Sequence, residues 1–156
     1  MQALPRLAAA FLLFAIIALG AGCDSTQEKS GHDATGSAQS QAGSVVTTKN
    51  GQYTDISADE LMSMMDNKDF YLVDVHVPNE GLMPQLDARI PYNEIAEQLD
   101  RLPSDKAARI VLTCKSGGMS SEAATTLADL GYTNVYNLAG GFLAWKDKGY
   151  PLTPEP

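Results

Sequence analysis

The sequence predicts an α/β domain built around a mostly parallel sheet. Two near-continuous apolar runs, Phe70–Val77 and Arg109–Thr113, have the length and content of strands buried on both faces. Segments of helical periodicity alternate with them, and that alternation lays helices over a parallel sheet. Gly117-Gly118 and Gly140-Gly141 stand where strands hand over to helices.

The amino-terminal residues belong to something else. Arg6 precedes an unbroken apolar run from Leu7 to Leu19, followed by Gly20-Ala21-Gly22-Cys23. This is the plan of a secretory signal, and the run is shorter than the about 20 residues of a membrane span. Small residues leading into a cysteine resemble the lipobox of bacterial lipoproteins, although Leu19 lies one place earlier than usual and Gly20 takes its position. The resemblance implies cleavage after residue 22, diacylation of Cys23 and attachment to a membrane; two acyl chains give stable anchoring. Asp24, next in sequence, resembles a signal for retention at the periplasmic face of the inner membrane in Gram-negative cells.

From Asp24 to about Asn50 the chain is rich in Ser, Gly, Gln, Thr and Ala, with Val45-Val46 as its one apolar pair. Such a segment buries too little to offset its ordering entropy. It reads as a flexible tether spanning roughly 25–30 Å, and His32 within it reads as inert. The expected organisation is a signal over 1–22, an anchor and tether over 23–50, and one folded domain over 51–153. Roughly 100 residues suffice for one core and not for two.

Within the domain, Tyr53–Ile56 reads as a short strand. Ser57 and Glu60 form a capping-box pattern that starts a helix burying Leu61, Met62 and Met65. Phe70–Val77, carrying Asp74 and His76, is a central strand. Arg89–Tyr92 is a short extended piece. Asn93 opens a helix through Ile95, Leu99 and Leu102, closed by Pro103. Arg109–Thr113 is the cleanest buried strand. A helix over Ser121–Leu130 ends at Gly131, Asn134–Leu138 is the next strand, and Gly140-Gly141 opens a last helix that stops at Gly149.

Net charge is −8, from 11 Lys and Arg against 19 Asp and Glu, with no basic cluster. That excludes nucleic acid as an expected partner. Of two cysteines, Cys23 is assigned to the anchor, which leaves Cys114 as the one thiol of the mature chain. One domain histidine and one thiol make no metal-ligand set, and no cofactor is expected.

Cys114 follows the strand Arg109–Thr113 and opens the turn Cys114-Lys115-Ser116-Gly117-Gly118-Met119-Ser120 before a helix. The carboxyl end of a parallel strand is where open α/β sheets bind ligands. Backbone N–H groups of a Gly-rich turn and a helix start converge on an anion. A thiolate is stabilised there and becomes a nucleophile, and Lys115 adds a positive charge. Asp74 reads as a carboxylate bonded to nearby backbone. His76 either pairs with Asp74 or lines the pocket mouth.

These residues carry a family resemblance. Cys114–Ser120, the following SEAATTLADLGY, the strand NVYNL and AGGFLAWKDKGYPL resemble the active-site half of a rhodanese-like domain. Upstream, LVDVHVPNEG and IPYNEI resemble that family's earlier segments, so the likeness runs from about Thr54 to Leu152. It implies a three-layer fold with helices on both faces of the sheet, and a sulfurtransferase that carries sulfane sulfur as a persulfide on Cys114. The loop Lys115, Ser116, Gly117, Gly118, Met119 and Ser120 would bind a small sulfur donor and a thiol acceptor, with Asp74 and His76 in support. His76 and Met119 stand where many members carry Arg, and Gly81–Asp87 lacks the usual Gly-His-Ile-Pro-Gly turn. The missing charge at Met119 weighs against thiosulfate and leaves polysulfide or a persulfide as donor.

Three other functions compete. A phosphatase or arsenate reductase of related fold needs an Arg six positions after the cysteine; Ser120 is there, and no Arg follows Cys114. A thiol–disulfide oxidoreductase needs a resolving cysteine. A non-catalytic rhodanese-like binding or sensory module in the cell envelope remains the alternative.

Overall fold

A computed structural model describes residues 43–78, 80 and 83–153. The export segment, Cys23, His32 and the tether as far as residue 42 lie outside the described residues. So do Asn79, Gly81 and Leu82.

Among the described residues six strands form one sheet. They are β1 (Ser44–Thr47), β2 (Gln52–Ile56), β3 (Tyr71–Asp74), β4 (Ala88–Arg89), β5 (Ile110–Thr113) and β6 (Val135–Leu138), in the spatial order β1-β2-β6-β5-β3-β4. The pair β1–β2 is antiparallel and every other pair is parallel. The helices are α1 (Ala58–Met65), α2 (Gly118–Asp129) and α3 (Gly141–Asp147). The α/β class and the mostly parallel sheet are as the sequence predicts.

Alternation along β3 and β5 explains the continuous apolar runs. Val73, Ile110 and Leu112 pack with Ala123, Ala124 and Leu127 of α2. Leu72 and Val111 pack with Leu61 of α1 and with Phe142 and Trp145 of α3. Both faces of the sheet are covered, so neither face of these strands needs polar residues.

Local chemistry sets the helix ends. Ser57 Oγ accepts the Glu60 N–H at 3.2 Å, while Glu60 accepts the Ser57 N–H at 2.7 Å. Ala58, Leu61 and Met65 then fall on the buried side of α1. At the other end of α2, the N–H of Tyr132 bonds to Leu127 and that of Gly131 to Ala128. Gly131 takes φ +89°, which closes the helix in a Schellman turn.

Three expectations need correction. The tether does not extend to Asn50, because Ser44–Thr47 is an edge strand paired with Gln52–Asp55. Its pairing is made by backbone, and the turn is tied to α2: Asp129 accepts from Thr48 Oγ1 at 2.6 Å and from the Asn50 N–H at 2.8 Å. The helix expected from Asn93 to Leu102 is two 3-10 turns, Tyr92–Glu94 and Leu99–Arg101. Gln98 leaves helical backbone at φ −115°, ψ 33°, and the segment is pinned by Tyr92 N–H to Val75 O and by Tyr71 OH to Arg101 O. Finally, α2 starts at Gly118 rather than Ser121, so Met119 and Ser120 belong to its first turn.

Candidate active site

The carboxyl ends of β3 and β5 lie side by side, with Asp74 opposite Thr113. The next residue after Thr113 is Cys114, and its sulfur meets the start of α2. Gly117 N–H points at Sγ from 3.1 Å, Ser120 N–H from 3.4 Å, and Ser120 Oγ lies at 3.3 Å. Gly117 makes this geometry with φ +93°, where a side chain would also meet the Gly140 nitrogen at 2.9 Å. Gly118 has no such constraint: nothing lies within 4 Å of where its Cβ would be.

Ser120 is fully buried, and its hydroxyl has two acceptors in reach, Sγ and the Gly117 carbonyl at 3.2 Å. One proton serves one acceptor at a time. An anionic sulfur draws it; a neutral thiol leaves it to the carbonyl. The site therefore offers a thiolate two N–H groups and one hydroxyl at a helix start. The amides of Ser116, Gly118 and Met119 make no hydrogen bond to Sγ. The Met119 side chain packs against the cluster under α2.

Cys114 is 1% exposed, so reaction at sulfur requires the rim to part. That rim includes an ion pair. Lys115 Nζ sits 2.5 Å from Glu80 Oε2, and both side chains are nearly half exposed. Lys115 therefore spends its charge on Glu80 rather than on the sulfur. The Lys115 ammonium, and less strongly His76, hold the Glu80 carboxyl below the usual carboxylate range. His76 Nε2 lies 3.6 Å from the same Glu80 oxygen, and its ring meets Phe142 edge-on at 6.0 Å.

Asp74 faces the α3 side. Its Oδ1 accepts the His76 backbone N–H at 3.0 Å, whereas its Oδ2 is buried with no partner. Burial pushes the Asp74 carboxyl up, partly offset by the His76 N–H and by the charges of Arg89 and His76. Asp74 and His76 thus sit beside the cysteine loop without touching the sulfur. Among the described residues no three His, Cys, Asp or Glu side chains group as metal ligands.

Sequence reasoning missed the support behind the loop. Phe142 N–H bonds to the Cys114 carbonyl at 2.9 Å and Leu143 N–H to the Lys115 carbonyl at 3.1 Å. The Gly140-Gly141 turn makes room for this approach. Its double glycine was the available signal, because two adjacent glycines before a helix mark close backbone contact.

Known proteins resemble this chain in sequence and in fold. The family model for the rhodanese-like domain matches residues 57–148. A sulfurtransferase of Allochromatium vinosum is 34% identical over 96 residues, 59% of this chain and 87% of that protein. Thiosulfate sulfurtransferase 18 of Arabidopsis thaliana is 37% identical over 83 residues, 52% of this chain and 57% of that one, so the match spans little more than half the plant protein. Among solved structures, a rhodanese-related protein from Thermoplasma volcanium has 29% identity and a TM-score of 0.56, covering 65% of this chain and 98% of that one. With the family model matching more than half of the chain and the fold shared with a solved rhodanese-related protein, the chain belongs to the rhodanese-like domain family.

Proposed function

We propose that the protein is a sulfurtransferase that carries sulfane sulfur on Cys114. The observation that carries this reading is the triad of donors from Gly117 and Ser120 converging on a sulfur at the carboxyl end of β5. The sulfurtransferases among its relatives support it.

In the first half-reaction the Cys114 thiolate attacks the outer sulfur of a donor R–S–SH. The donor S–S bond breaks and R–S⁻ leaves with the electron pair, giving Cys114–S–SH. An acceptor thiolate R′–S⁻ then attacks that outer sulfur. The new R′–S–SH departs and the Cys114 thiolate returns to its cradle; cyanide as acceptor leaves as thiocyanate. The Gly117 and Ser120 donors stabilise the anion at the start and end of the cycle. Because Met119 brings no charge and Lys115 is paired with Glu80, an uncharged or singly charged persulfide or polysulfide suits the site better than thiosulfate.

The amino-terminal sequence supports export and anchoring through a diacylated Cys23, with the domain held at a membrane surface on the periplasmic side. The burial of Cys114 favours one second reading, a sensory or binding module without turnover.

Mass spectrometry after incubation with glutathione persulfide, polysulfide or thiosulfate tests both. One sulfur added at Cys114, absent in Cys114→Ser and discharged by a thiol, is the expected result. No adduct from any of the three donors rejects the enzyme and leaves the module. The mass of the mature protein from membranes reports the acyl chains on Cys23.

A further inference from the structure

The carboxyl edge of the sheet holds a second concavity beside the cysteine loop. A half-open cavity of about 200 Å³ is lined by Asp74, His76, Val77, Arg89, Ile90 and Pro91, with no residue of the Cys114 loop. One water needs only roughly 10–15 Å³.

Three of the lining residues carry buried polar atoms with no partner among the described residues: Asp74 Oδ2, His76 Nδ1 and Arg89 Nε. Asp74 is 3% exposed and the His76 side chain 8%. Folded proteins rarely leave such atoms unpaired. Arg89 is near enough for its charge to favour the Asp74 carboxylate, yet the two form no ion pair among the described residues. Asp74 and Arg89 thus line one small volume, and each holds a buried polar atom that pairs with nothing among the described residues. A group that satisfies both must accept from Arg89 and donate to Asp74. The apolar walls of Val77, Ile90 and Pro91 suit a short aliphatic stem.

The cavity adjoins the nucleophile. The Val75 N–H bonds to the Thr113 carbonyl at 2.8 Å, one residue before each of His76 and Cys114. His76 touches Phe142, whose N–H holds the Cys114 carbonyl. We infer that this cavity binds the zwitterionic head of a small amino thiol, its ammonium against Asp74 and its carboxylate against Arg89, and so presents the thiol sulfur at the rim of the Cys114 loop. The role of that sulfur rests on the sulfur-transfer reading; the binding itself needs no chemistry at Cys114.

The test is an NMR titration of the full-length Cys114→Ser chain, labelled with ¹⁵N and kept reduced, with three probes. L-cysteine carries both charges, cysteamine lacks the carboxylate and 3-mercaptopropionate lacks the ammonium. L-cysteine should shift the amides of Asp74–Val77 and Arg89–Ile90 saturably, and each truncated probe should bind at least about tenfold more weakly, since each leaves a buried charge unpaired. Arg89→Gln in the same background should weaken L-cysteine by a similar factor; if that variant loses spectral dispersion, the three-probe series decides. Unmoved amides, or three probes of equal affinity, overturn the inference. Cysteine binding in a protein whose wild type loads no sulfur rejects the transfer reading alone. Sulfur loading without cysteine binding rejects the cavity alone.

Discussion

Gly141 lies so close behind Cys114 that a Cβ on it would sit 2.1 Å from the Cys114 carbonyl oxygen and 2.6 Å from Lys115 backbone atoms. The start of α3 and the cysteine loop are therefore packed main chain to main chain, and the Phe142 and Leu143 N–H groups bond across the contact. Neither side can yield, because both are backbone. Gly141 also takes φ +58°. Gly141→Ala should cost about 3 kcal/mol or more and abolish sulfur loading. Gly118→Ala, with open space around it and ordinary φ, should hold stability or raise it by up to about 1 kcal/mol. Denaturant unfolding of the two variants checks the contrast; equal midpoints would refute it.

Ser120→Ala removes the hydroxyl that lies 3.3 Å from Sγ while leaving its N–H in place. A hydrogen bond to a charged group contributes about 1.5–3 kcal/mol, so the rate of Cys114 persulfidation should fall by roughly tenfold or more. The Gly117 carbonyl is bonded by the Ser121 N–H as well and does not become an orphan, so the loss of stability should be small. A rate equal to wild type would mean that the hydroxyl proton stays on the carbonyl throughout.

The place of Cys114 at the end of a buried strand, before a glycine turn and a helix, was legible in sequence because three signals coincide there. A run of apolar residues ends at Thr113, a reactive residue type follows, and glycines lead into a helix. What the sequence hid was held by backbone or by distance. The strand Ser44–Thr47 is mostly exposed, so no apolar alternation marks it; its pairing comes from main-chain bonds and from Asp129 at the far end of α2. The segment after Pro91 buries Ile95 and Leu102, which close its two 3-10 turns, much as a helix would, and periodicity alone does not separate the two. Lys115 looked like a charge for the sulfur because its neighbour in sequence is Cys114. Its neighbour in space is Glu80, which no local pattern could reveal.

That ion pair makes a kinetic prediction. With Glu80 occupied by Lys115, an anionic donor meets a neutralised rim. Glu80→Gln should free the ammonium and speed sulfur loading from thiosulfate more than from cysteamine persulfide, whose ammonium and persulfide charges cancel to leave it net neutral. Lys115→Ala should slow thiosulfate and leave the neutral donor nearly unchanged. Both effects should fade as salt rises, because the groups are part-exposed and screened within about 10 Å at 0.1 M. Melting temperature should barely move in either variant. The comparison needs loading rates for two donors at two ionic strengths, and parallel changes for both donors would count against an electrostatic origin.

Asp74 makes the opposite prediction from the exposed carboxylates. Burial raises its pKa in the folded state, so the folded protein holds that proton more tightly than the unfolded chain. Stability from this group is therefore greatest below the usual carboxylate range and declines as pH climbs through the raised value. Asp59 and Glu80, held below that range by Lys148 and Lys115 respectively, contribute stability that is lost as pH falls. Asp74→Asn keeps the shape, retains an acceptor for the His76 N–H and removes the buried charge. Its stability relative to wild type should improve steadily from acid pH upward and level off once Asp74 is ionised in the native protein. Urea unfolding midpoints of the pair across that range give the answer. A difference that is flat with pH would mean that Asp74 titrates alike folded and unfolded, and one that shrinks as pH rises would mean that partners outweigh burial.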